Sequence, residues 1–281
     1  MKKKKLLAVV AHPDDETFGM GGTLAKYARD GVEVNLICAT RGEVGAVKPG
    51  LLNGYASVGD LREKELCCAA DVLGLKKVHF LEYRDSGMPG TKDNQHPQAL
   101  VQARLEDVAF KIAKLIRQIQ PQVVLTFDPI GGYRHPDHIA IHKATVRAFE
   151  MAGDGNMKME NMLPYKPDKL YFHIFPRGFL KLMVAVMPLI GKNPEKWGKN
   201  GDINLKTILA EKFPTHARIN YKKVTAIREK ASACHASQGG DRQSGYVINW
   251  LLRLFSSFES YMRAYPAGHN NHVEKDLFEG L

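Results

Sequence analysis

The chain is poor in the features that would commit it to several common classes. Four cysteines in 281 residues (Cys38, Cys67, Cys68 and Cys234), with no C-x-x-C spacing, exclude a disulfide-dense scaffold. They fit a reducing, cytoplasmic compartment in which most are buried as small apolar side chains. Long apolar runs are missing too. "GFLKLMVAVMPLIG" (178–191) is interrupted by Lys181 and Pro188, and it is shorter than the roughly 18 residues needed to cross a bilayer. The opening "MKKKKLLAVVAHPDDE" has a basic start but only six apolar residues before His12, and no small-residue cleavage site follows; it reads as a first strand. There is no G-x-x-x-x-G-K-[ST] loop and no G-x-S-x-G elbow. "GMGGTL" (19–24) has Leu24 where a dinucleotide fingerprint needs its last glycine, and its glycines follow acids that would repel a pyrophosphate.

What is present is an ordinary globular composition, 44% apolar and 25% charged, with a net charge of +10. Residues 158–230 hold 15 Lys/Arg against 6 Asp/Glu, so most of the surplus lies in that quarter. A solvated, solubilising surface and attraction to an anionic partner both account for it. Nucleic acid is set aside, since no helix-turn-helix, zinc-finger or RNP pattern accompanies the charge. The basic quarter together with the 178–191 run leaves weak peripheral membrane contact open.

Strand-like runs alternate with helix-length segments. Strands are predicted over 5–11, 32–40, 77–83, 122–127 and 169–175. Helices are predicted over about 17–29, 57–75, 97–119, 136–151, 221–236 and 245–263. Repeated βα units imply an α/β fold, a doubly wound and mostly parallel sheet flanked by helices. No repeat or linker is apparent, so one domain is expected, with a core over about 5–240 and a C-terminal helical extension over about 241–281.

Two polar clusters lie directly after predicted strands: "AHPDDE" after the first and "DPIGGYRHPDHIAIH" (128–142) after the fourth. In the common strand order 3-2-1-4-5 these strands are neighbours at the switch point, where ligands bind beyond the carboxyl ends. His12 and Asp15 from one loop and His138 from the other make a three-ligand N/O set for a catalytic zinc, or another divalent transition metal, with an open position. Asp14 then stands beside a metal-activated water as general base. His135 and His138 share a helix face, so one can bind metal while the other serves a leaving group, and Asp137 could orient a ring nitrogen. Glu16 is assigned to the first helical turn, complementing its dipole. Taken singly, Asp14 or Asp15 would suit a helix cap and "HPDH" a proline-started helix. Their pairing at two neighbouring strand ends favours a site.

The two motifs resemble those of the LmbE-like N-acetylglucosaminyl-phosphatidylinositol de-N-acetylases, the PIG-L family. "TRGEVG" (40–45), "LREKELCCAADVLG" (61–74), "YRDSGM" (83–88) and "KASACHASQ" (230–238) are similar to further family blocks, in order. The resemblance implies a Rossmann-like fold and zinc-dependent removal of acetate from an N-acetylglucosaminyl conjugate, a small-molecule substrate. It implies that His12, Asp15 and His138 bind zinc and that Asp14 is the base. His135, held by Asp137, would stabilise the oxyanion or protonate the departing amine, and Tyr133 would polarise the carbonyl. Arg62 and Asp85 would hold substrate hydroxyls, and His235 and Gln238 would reach the pocket. An amidase acting on a larger acyl group, or a membrane-surface or glycan-binding protein with a degenerate site, are the alternatives. Residues 176–218 match no family block.

Overall fold

The computed structural model describes residues 3–175, 177–197, 201, 203–240, 257–268 and 272–281. In chain order the elements are β1 (Lys5–Val10), α1 (Asp15–Arg29), β2 (Glu33–Thr40), α2 (Val58–Leu73), β3 (Lys77–Tyr83), α3 (Leu105–Ile119) and β4 (Val123–Phe127). There follow a short turn α4 (Gly131–Arg134), α5 (Pro136–Gly153), β5 (Lys169–Ile174), α6 (Arg177–Val186), α7 (Leu205–Ala210), β6 (Ala217–Asn220), α8 (Thr225–Cys234) and β7 (Phe258–Tyr265).

Local chemistry explains the boundaries. Leu6 to Val10 on β1 are wholly buried, as a central strand covered on both faces requires. Ser57 caps α2 by accepting the Asp60 N–H at 3.1 Å, and Gly74 ends it at φ 77°. On α3, Val108, Ala109, Ile112, Ala113, Ile116 and Ile119 form the helical stripe that meets the core. This helix starts at Leu105 and not at 97, because short 3₁₀ turns occupy Lys92–Gln95 and Leu100–Gln102.

The sheet has seven strands in the order β3-β2-β1-β4-β5-β7-β6. The first five are parallel, in the expected 3-2-1-4-5 arrangement, and β1 and β4 are central neighbours. The single domain is therefore α/β with a mixed, mostly parallel sheet flanked by helices. Its last two strands run antiparallel and were not expected. Of the helix predicted over 245–263, residues 245–256 lie outside the described residues and 258–263 are strand. The C-terminal extension is thus not simply helical. Glu259 hides the strand pattern: it is a buried acid whose carboxylate accepts the Gly22 and Thr23 N–H groups at 2.9 and 2.8 Å.

The cysteines also depart from expectation. Cys68 and Cys234 form a disulfide that ties α2 to α8, Cys67 is exposed, and only Cys38 is a buried free thiol. The cysteine argument for a reducing compartment therefore falls. Among the described residues no helix is long and apolar enough to cross a membrane.

Candidate metal centre and active site

The ends of β1 and β4 bring both polar clusters into one crevice. His12 and His138 are buried, and Asp15 is half-buried between them. His12 Nδ1 lies 3.3 Å from His138 Nε2 and 3.6 Å from Asp15 Oδ2, while His138 Nε2 lies 3.2 Å from Asp15 Oδ1. Ligand bonds of 2.0–2.1 Å in a tetrahedral zinc site set neighbouring donors roughly 3.3 Å apart, so this donor set fits such an ion. A looser triad of His12, His135 and His138 has its nitrogens within 4.8 Å of one another. His135 is engaged elsewhere, however, and Asp15 completes the tighter set.

The sequence places Asp137 beside His135, but the structure divides its two ends. Its carboxylate lies 3.0 Å from His12 Nε2 and accepts the Ser86 N–H at 2.9 Å. Only its backbone N–H serves His135, donating to Nδ1 at 3.2 Å. The neutral His135 ring therefore carries its proton on Nε2. Burial, with His12 and His138 close by, pushes that ring down to about 2, so it stays neutral.

The adjacent acids diverge. Burial raises Asp14 to about 6, with Arg62 partly opposing the rise. Burial would raise Asp15 as well, but His138 and His12 hold it well below the usual carboxylate range. Opposed shifts in neighbouring carboxylates leave one anionic and suited to a cation and the other able to exchange a proton near neutrality. Asp14 precedes α1 without a side-chain capping bond, and its φ is 121°, while the Asp15 carboxylate accepts the backbone N–H groups of Ala11 and His12 at 3.2 and 2.8 Å.

Arg62, expected to hold substrate hydroxyls, is buried and makes contacts within the protein. It donates to Asp14 Oδ2 at 3.1 Å, to Pro13 O at 2.5 Å and to Gly42 O at 2.8 Å. A Cβ at Gly42 would fall 1.9 Å from its guanidinium, so only glycine lets that group in. Asp85 Oδ1 accepts the Gly87 N–H at 2.8 Å and lies 3.4 Å from His12 Nε2. Tyr133 is half-buried, its ring edge-on to His135 and His138 at 5.8 and 5.0 Å. Burial pushes its phenol up, so it stays a neutral donor. His235 Nε2 lies 2.7 Å from Glu16 Oε1, and Gln238 donates to Ser237 Oγ at 3.0 Å.

Three supports escaped the sequence reading. Asp128 Oδ1 accepts the N–H groups of Ile130 and Gly132 at 3.1 and 2.8 Å, folding the loop that carries Tyr133 and His135; its "DPIGG" context was a turn signal. Gly131, at φ 65°, packs so close that a Cβ would lie 2.8 Å from His138 Cβ. Phe127 stacks on the His138 ring at 4.0 Å, which nothing in the sequence signals.

Comparison with known proteins agrees with this architecture. The chain is 35% identical to a 1D-myo-inositol 2-acetamido-2-deoxy-alpha-D-glucopyranoside deacetylase of Rhodococcus erythropolis, over 99% of this chain and 98% of that one. It is 39% identical to the protein of the same name from Streptomyces avermitilis, over 99% and 97%. Among solved structures, the N,N'-diacetylchitobiose deacetylase of Pyrococcus horikoshii superposes with a TM-score of 0.62 at 21% identity, covering 93% of this chain and 84% of that one. The conserved protein TT1542 of Thermus thermophilus gives 0.60 at 22%, covering 94% and 96%. These two likenesses show the fold. Residues 7–149 match the family model PIG-L, GlcNAc-PI de-N-acetylase, and with the full-length relatives this shows that the chain belongs to the PIG-L family.

Proposed function

We propose that the protein is a metal-dependent hydrolase that removes the acetyl group from an N-acetylglucosaminyl conjugate, with zinc as the metal. The carrying observation is the 3.2–3.6 Å spacing of donors from His12, Asp15 and His138, with Asp14 next to them in opposite electrostatic surroundings. When bound, zinc supplies a Lewis acid and lowers the pKa of water in its open position.

The chain's own residues do the rest. Asp14, raised to about 6, takes a proton from the attacking water and then holds one for the departing amine. His135 donates from Nε2 to the oxyanion that develops on the amide, and Tyr133 donates from its phenol. A neutral His135 suits the donor role better than the acid role that the sequence left open. Arg62 keeps the Asp14 carboxylate in place, and Asp85 Oδ2 is assigned to a sugar hydroxyl.

The relatives' names supply the substrate class, a glucosaminide with a cyclitol aglycone. A cavity of about 270 Å³ beside Tyr133, lined by Met88, Pro89, Arg134, Asn204 and Thr207, is where we place the aglycone. Weak membrane contact is assigned to the exposed Leu182, Leu189 and Ile190 of α6 and the turn after it, which lie beside Lys181 and Lys192 in the chain.

The test is acetate release from a panel of N-acetylglucosaminyl conjugates, after chelation and again with zinc restored. Activity is expected to vanish and return. Acetate release that survives complete metal removal, or its absence from every conjugate, would overturn the proposal.

A further inference from the structure

Among the buried pairs that the metal and base assignments leave unused, that of Glu16 and His235 lies next to the candidate base. Glu16 and His235 are both fully buried, and His235 Nε2 lies 2.7 Å from Glu16 Oε1, across 219 residues of sequence. An acid in a first helical turn can complement the dipole from solvent. A buried one must be paired, because an isolated charge in the interior is strongly disfavoured. The pairing therefore asks for a reason beyond the helix.

The second oxygen of Glu16 supplies it. Glu16 Oε2 accepts the backbone N–H of Asp14 at 2.9 Å. Asp14 has φ 121°, a backbone region that side-chain-bearing residues rarely adopt and that persists only where the surroundings over-determine it. Glu16 grips that backbone from one side while Arg62 grips the Asp14 carboxylate and the Pro13 carbonyl from the other. Both grips rest on one block. Arg62 is on α2, His235 directly follows α8, and the two helices are joined by the Cys68–Cys234 disulfide. Ser237 adds two bonds to Glu65 of α2, at 2.7 Å from its N–H and 2.6 Å from its hydroxyl.

We propose that Glu16 and His235 are a positioning couple: His235 fixes the Glu16 carboxylate, and Glu16 fixes the strained backbone that aims Asp14 at the reacting water. The proposal rests on Asp14 being the base. In this proposal both residues act through Asp14 and not on the substrate.

The experiment compares Glu16→Ala, His235→Ala, their double variant and the conservative Glu16→Gln, all in zinc-loaded full-length protein. Metal per chain, KM and kcat per folded, metal-loaded chain are measured for each. A misaimed base costs on the order of 10- to 100-fold in turnover. Glu16→Ala is expected to keep its metal and its KM and to lose kcat by that amount. The double variant should be no worse than Glu16→Ala, since the two act as one unit. Glu16→Gln should recover most of the rate, because its amide oxygen still accepts the Asp14 N–H. A merely structural pair would lower the folded fraction and leave kcat per loaded chain unchanged, which overturns the proposal. So would single losses that multiply in the double variant, or metal lost along with rate, which would make the couple a support for Asp15. If Glu16→Ala does not fold, His235→Ala against His235→Gln decides by the same split of kcat from KM. Should Asp14→Asn itself turn over normally, the base assignment fails, and that result is separable from a normal Glu16→Ala beside a crippled Asp14→Asn.

Discussion

His12 Nε2 stands 3.0 Å from Asp137 Oδ2, and this contact decides which nitrogen of His12 faces the metal site. Nδ1 faces His138 and Asp15, so with Nε2 donating to the Asp137 carboxylate a metal-bound His12 would offer its Nδ1 lone pair. Partners of this kind typically contribute 10- to 100-fold in metal affinity. Asp137→Asn is accordingly expected to weaken zinc binding by about that factor, measured by competition with a chelator of known affinity. Unchanged affinity would return Asp137 to the role its sequence position suggested, beside His135.

Asp14 and Asp15 are expected to fail differently. Asp15→Ala would remove one of the three proposed protein ligands, so metal and activity should be lost together. Asp14→Asn keeps size and polarity, so metal should remain while turnover drops about 10² to 10⁴-fold, the usual contribution of a general base. Metal content by elemental analysis, set beside kcat, separates the two. An Asp14→Asn enzyme at wild-type rate would leave the mechanism without a base.

The cavity beside Tyr133 predicts a split in substrate dependence. Thr207→Trp should fill part of the space at Met88, Pro89 and Asn204. KM for conjugates with a large aglycone should rise, while the rate with free N-acetylglucosamine stays near wild type. A proportional change for both would place the aglycone elsewhere.

In the turn that follows α6, Leu189 is 83% exposed and Ile190 61% exposed. If these side chains and the nearby lysines meet anionic lipid, the protein should co-sediment with phosphatidylglycerol vesicles at low salt and release as salt shortens the electrostatic reach to about 8–10 Å. Neutral phosphatidylcholine vesicles should bind it poorly, and Leu189→Glu with Ile190→Glu should abolish binding. Equal recovery in the supernatant for all three would leave the basic quarter as a solvated surface.

The parallel half of the fold was legible because each strand is an apolar run with a punctuated helix behind it. The meeting of the candidate site residues was legible because two rare polar clusters follow neighbouring strands. What escaped depends on distance in sequence. Glu16 looked like a dipole-complementing first-turn acid, since its partner His235 lies across the molecule. The internal contacts of Arg62 escaped because the carbonyls it binds, Pro13 and Gly42, belong to loops with no side-chain signature. β7 was misread because its buried Glu259 serves two N–H groups of α1, so a charge occupies an inward position where the period-2 pattern calls for an apolar side chain.

His173 gives a stability prediction at a residue outside the proposed ligand set. It lies on β5, against Gly19 of α1 and edge-on to Phe175 and Tyr261. Burial, with help from Arg228 and partly opposed by the Asp15 carboxylate, lowers its imidazole from 6.5 to about 4. The folded-state value is depressed, so between these two values the unfolded chain binds a proton that the folded chain does not. Unfolding is therefore favoured as pH falls through 6.5 towards 4, and no more is lost below 4. At about 1.4 kcal/mol per unit, discounted because the side chain is only partly buried, the loss is on the order of 2 kcal/mol. His173→Gln is neutral throughout and should not show it. Urea unfolding of both proteins from pH 7.5 to 4, in the same chelator so that metal does not contribute, gives the comparison. The wild-type stability should fall relative to the variant across this window, whereas parallel curves would mean that His173 takes up its proton in the fold as readily as in the unfolded chain.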